Sequence, residues 1–71
     1  MAESMLASIQ RQQIEIAVGE LLLTDDYYMR QSIIERIRHL IAHADHTLDI
    51  HKFSEMALEE LREFQLLPPE A

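Results

Sequence analysis

The chain has 71 residues, 48% of them hydrophobic, with 6 Lys+Arg against 13 Asp+Glu and a formal net charge of -7. That is too apolar for a disordered acidic chain and too short for more than one domain. The charge disfavours a phosphate-binding surface, and the absence of cysteine excludes a disulfide staple and a thiolate zinc site.

No apolar run approaches the roughly 20 residues of a membrane span, and no basic start precedes an apolar stretch as in a secretory signal. A cytoplasmic module with no membrane contact is therefore expected. Domains below about 80 residues need a staple, very good packing or a partner chain, because ordering costs on the order of 1.5 kcal/mol per residue. With the staples gone, helix packing and oligomerisation remain. Gly19 is the one glycine, and Pro68 and Pro69 are the two prolines. So few breakers exclude a set of hairpins. The expected fold is all-α: three helices at about 3–23, 26–44 and 50–66, forming a homodimeric helical bundle. A single domain is expected over 1–67, with a disordered tail at 68–71.

The first helix is amphipathic at Met5, Leu6 and Ile9, then polar from Gln10 to Gln13. From Ile14 the pattern changes. At 100° per residue Ile14, Ala17, Val18, Leu21 and Leu22 cover one broad face, while Ile16 and Leu23 occupy the opposite side. Apart from Gly19, only Glu15 and Glu20 interrupt this surround. A helix apolar nearly all round is normally buried on more than one side, which two other short helices would struggle to do. Ile14, Ile16, Val18, Leu21, Leu22 and Leu23 are accordingly the expected dimer interface.

Thr24, Asp25 and Asp26 supply the capping groups and negative charge of a helix start. The second helix places Tyr27, Ile33, Ile34, Ile37, Leu40, Ile41 and Ala44 on one core-facing stripe. The segment from Asp45 to Asp49 reads as a turn. The third helix turns Ile50, Phe53, Ala57, Leu61 and Phe64 inward, with Met56 and Leu58 at the stripe's edges. It is expected to end at Pro68 and Pro69.

Four features invite a chemical reading. His39 and His43, one turn apart, with His46 close to the same line, are a sound start for zinc, which Asp45, Asp49 or His51 could complete. They lie opposite the isoleucine stripe, however, and three ligands on one exposed helix rarely converge unless another element closes over them. Solvated histidines are the stronger reading, with neither a metal nor another cofactor expected; pH sensing is a further option, since His titrates near about 6.5. His43 to His46 is similar to part of a metallo-hydrolase ligand motif, but Ile41 replaces its earlier histidine and the chain is too short for that fold. Arg30, Arg36 and Arg38 form the one candidate basic patch, in a stretch (25–45) that still nets -1; direct nucleic-acid binding is disfavoured. Tyr28 and the acidic face of Glu55, Glu59, Glu60 and Glu63 are the candidate partner surface, for a protein with a basic or amphipathic face. Catalysis is not expected. There is no glycine-rich phosphate loop, and Ser4, Ser8, Ser32 and Ser54 lack a convincing base and orienting partner.

The run from Val18 to Ile41 resembles the middle of a family of small enterobacterial biofilm and acid-resistance regulators, also described as two-component-system connectors. Val18, Leu21, Leu23, Asp26, Ile33, Ile34 and His39 carry the resemblance. It extends from Val18 to about Leu61 and thins after Ala42. Asp25 stands where the family usually has a glycine. The resemblance implies an all-helical homodimer that regulates by touching another protein, with a phosphorelay as target and direct DNA binding as a further family property. The leading expectation is thus a non-enzymatic connector or modulator of a signalling or transcription partner. The alternatives are an acidic inhibitor or decoy, of bacterial or phage origin, that blocks a nucleic-acid-binding protein, and a small export or assembly chaperone.

Overall fold

A computed structural model describes residues 2–67. It has the order α1 (Met5–Leu23), α2 (Tyr27–Ala42), a single 3-10 turn (Ile50–Lys52) and α3 (Glu55–Glu63), with no strand among the described residues. Each helix starts where a short polar side chain can take a free backbone N–H. Ser4 accepts from Ala7 N–H at 3.0 Å, Asp26 from Met29 N–H at 2.8 Å, and Ser54 from Ala57 N–H at 3.2 Å.

Both α2 and α3 pack on α1, which contributes Ile14, Ala17, Val18 and Leu21 to the core. Ile33, Ile34 and Ile37 enter from α2, Phe53, Ala57 and Leu61 from the third segment, and Leu66 from beyond it. No polar or charged residue enters this core cluster. The hydrophobic effect thus holds the three elements around one face of α1, at about 25 cal/mol per Å² of apolar surface removed from water.

Three details differ from the sequence reading. Tyr27, expected on the core stripe, is 66% exposed. It sits at the margin of that stripe, beside the uncovered end of α1, and its ring meets Tyr28 edge-on at 5.4 Å. Ala44 lies beyond the end of α2 and is half-buried.

The third helix is not continuous from 50 to 66. Asp49 accepts His51 N–H at 3.0 Å and caps the 3-10 turn; Phe53 is extended (φ -66°, ψ 149°), and Ser54 then starts α3 afresh. The break lets Phe53 drop into the core at 5% exposure. At its other end α3 stops at Glu63, well before the prolines. Gln65 takes a left-handed conformation (φ 55°), and the chain folds back through Leu66 N–H to Leu61 C=O at 2.8 Å and Gln65 N–H to Arg62 C=O at 3.0 Å. This is the two-bond C-cap usually built on glycine, and it buries Leu66 against the helix it closes. Pro68, Pro69 and the expected 68–71 tail lie outside the described residues.

Candidate interaction surface

The six residues expected at a dimer interface separate into two sets. Ile14, Val18 and Leu21 are 0, 2 and 1% exposed, already covered by the chain's own α2 and α3. Ile16, Leu22 and Leu23 are 64, 39 and 87% exposed. Tyr28, expected on the partner surface, joins them, together with residues that the sequence reading placed at no interface. Met5, Leu6 and Ile9 continue the uncovered side of α1, and Tyr27, Tyr28 and Met29 extend it around the α1–α2 corner.

Polar contacts fix that corner. The Arg30 guanidinium donates to Leu21 C=O at 2.7 Å, which also accepts the Thr24 N–H at 3.3 Å, and to Thr24 C=O at 3.0 Å, tying down carbonyls at the end of α1. Thr24 Oγ1 donates to Glu20 C=O at 2.6 Å. Arg36 pairs with Glu20 across the α1–α2 seam, and Arg38 pairs with Glu35 on its own helix. The three arginines of the candidate basic patch therefore each have a partner, two of them carboxylates.

Two open grooves run beside this surface. One, of about 280 Å³, is lined by Gln13, Ile16, Ala17, Glu20, Arg36 and Leu40. The other, of about 350 Å³, lies at the corner between Leu23, Thr24, Met29, Ser32, Ile33 and Arg36. Both are shallow troughs between helices, suited to side chains of a docking surface rather than to an enclosed small molecule.

The acidic half of the expected partner surface lies on α3. Glu55, Glu59 and Glu63 are exposed and Glu60 is half-buried. No hydrogen bond or ion pair joins them to Tyr28 among the described residues, so the two halves are separate features. The histidines lie on the exposed side of α2 and the following turn. The rings of His39 and His43 face each other at 4.3 Å, while His46 Nδ1 lies 3.9 Å from Asp45 Oδ2. No group of three or more His, Cys, Asp or Glu with metal-holding geometry occurs among the described residues. No helix there is long and apolar enough to cross a membrane.

A polar clasp at the opposite end of α1 went unread in the sequence. The Glu3 side chain is only 2% exposed; its carboxylate accepts Asp49 N–H at 3.0 Å and the Arg11 guanidinium at 3.1 Å. The Asp49 N–H first, with Arg11 behind it, holds the Glu3 pKa below its usual value. Beside it, Ser4 N–H donates to Thr47 Oγ1 at 3.0 Å, Ser4 Oγ–H to Asp45 Oδ2 at 3.2 Å, and Asp45 N–H to Gln10 Oε1 at 2.8 Å. The Thr47 hydroxyl and N–H lower the Asp45 pKa likewise. Contacts 41 to 46 residues apart in sequence thus tie the start of α1 to the 45–49 turn. Comparison with protein-family models, curated proteins and solved structures finds no match to this chain.

Proposed function

We propose that this chain is a non-enzymatic helical regulator that acts by protein–protein contact, as a homodimer, on a signalling or transcription partner. The observation that carries the reading is the uncovered corner of Tyr27, Tyr28 and Met29, which are 66, 81 and 57% exposed. Tyrosine and methionine at such exposure suit contact with a partner: tyrosine supplies large amphipathic area at low entropic cost, and methionine adapts to irregular surfaces. The corner is anchored by Arg30, so it meets a partner without first having to order itself. The partner class favoured by the resemblance is the response regulator of a phosphorelay.

The test is binding to a purified panel of response-regulator receiver domains and nucleic-acid-binding domains, for the native chain and for Tyr28→Ala, each at low and high salt. Selective binding to one of them, lost in Tyr28→Ala and little changed by salt, supports the proposal. Binding to none would overturn the connector role. Capture only of nucleic-acid-binding proteins, falling steeply with salt, would replace it with the decoy acting through the α3 glutamates.

A further inference from the structure

The outer side of α1 carries a pattern that the fold leaves unused. Met5, Ile9, Gln12, Ile16, Gly19 and Leu23 follow one another at spacings of four and three residues, the seam of a two-stranded coiled coil. In heptad terms Ile9, Ile16 and Leu23 hold one core position, and Met5, Gln12 and Gly19 the other. Every one of them except the half-exposed Gly19 is classed as exposed in the single chain. Taking on this regulator reading, we propose that a second copy of the chain covers this seam, with the two α1 helices antiparallel.

Charge selects the face on which two copies can meet. The whole chain carries -7, so two copies repel wherever their acidic surfaces meet, as at the α3 glutamates. The charged residues flanking the outer face of α1 are Glu20, paired with Arg36, and Glu15, which accepts the Ser54 N–H. Area agrees. Met5, Leu6, Ile9, Ile16 and Leu23 are 82, 56, 48, 64 and 87% exposed. Together they present on the order of 600 Å² per copy, the greater part of the about 800 Å² per partner of a standard stable interface.

Gly19 selects the orientation. Glycine in mid-helix is less stable than alanine by about 1 kcal/mol, and nothing within the chain calls for it. Gly19 lacks a positive φ, and a Cβ added there would meet no atom within 4 Å. A closely approaching helix gives it a purpose. In an antiparallel pair Ile9 of one copy lies over Gly19 of the other, so a large side chain fills the space the glycine leaves, with Met5 over Leu23 and Gln12 over Ile16. A parallel pair would instead stack Gly19 on Gly19, leaving a gap, and would set Glu15 of each copy beside Glu20 of the other. The antiparallel pair leaves a single Glu15–Glu15 approach, and Glu15 is already turned to the Ser54 N–H at 2.7 Å.

The chain has no native cysteine, so the test uses Met5→Cys and Leu23→Cys chains mixed in equal amounts in a glutathione redox buffer. The expected product is the mixed disulfide between the two variants. Disulfides of each variant with itself would mean a parallel pair and overturn the proposal, as would no disulfide at all. Ile16→Glu should weaken dimerisation by about a hundredfold or more while the helical signal is kept, and Met56→Glu, equally exposed on α3, should not. Gly19→Ala is decisive by sign: it should weaken the dimer, whereas a tighter or unchanged dimer would overturn the antiparallel seam. These outcomes are independent of the receiver-domain experiment, so a failed seam and a failed regulator reading are told apart.

Discussion

Aspartate placed at two positions of α1 only two residues apart should have opposite consequences. Val18 is 2% exposed within a cluster that holds no buried polar group, whereas Ile16 is 64% exposed. Val18→Asp forfeits about 1.5–3 kcal/mol of side-chain burial and leaves a carboxylate with no partner in the core, which adds several kcal/mol. A domain of this length has about 4–10 kcal/mol in total, at roughly 0.05–0.15 kcal/mol per residue. Val18→Asp should therefore be largely unfolded. Ile16→Asp gives up only the covered third of the isoleucine and some helix propensity, together about 1 kcal/mol or less. It should stay helical, with a urea midpoint that no longer depends on protein concentration. Far-UV circular dichroism and urea titration of both chains check this. A folded Val18→Asp, or an unfolded Ile16→Asp, would refute the assignment of the two faces.

Gln65→Gly should raise stability by about 0.5–1 kcal/mol, because φ is positive there and a side chain resists it; a lower urea midpoint would count against the C-cap described at Leu66. Arg30→Met keeps much of the side-chain volume but removes the charged donor from the Thr24 and Leu21 carbonyls, leaving Leu21 C=O only the Thr24 N–H, and should lower the unfolding free energy by about 1.5–3 kcal/mol. An unchanged melt would mean water replaces the guanidinium there. The clasp sets the acid limit. The Glu3 and Asp45 pKa values are lowered by folding, so their contribution is complete above the ordinary carboxylate range of about 3.9–4.3 and is lost as pH falls through the folded values. The melting temperature should fall below about pH 4, and Glu3→Gln should flatten that fall; an equally steep fall in Glu3→Gln would remove Glu3 from the clasp.

The starts of α1 and α2 were legible because Ser4 and Asp26 are short polar residues standing before apolar periodic runs, and capping is local chemistry. The break before α3 was not, since the apolar spacing of Phe53, Ala57 and Leu61 runs straight through it. Only the caps at Asp49 and Ser54, five residues apart, hinted at two starts. The end of α3 was misjudged for a related reason: Gln65 does the work usually given to glycine, and the prolines drew attention past it. On α1 the periodicity gave two apolar sides but could not say which the chain itself would cover. That depended on where α2 and α3 pack, and they chose Ile14, Val18 and Leu21 over Ile16 and Leu23. Arg30 and Glu3 went unread because their partners are backbone groups supplied by the tertiary fold.

The account's central claim is that the uncovered side of α1 meets a second copy. Light scattering on the native chain across a dilution series tests it most directly. The predicted result is a mass of twice the 8.3 kDa chain, giving way to the single-chain mass only on dilution. A mass of 8.3 kDa at every concentration, with the helical signal intact, would contradict it.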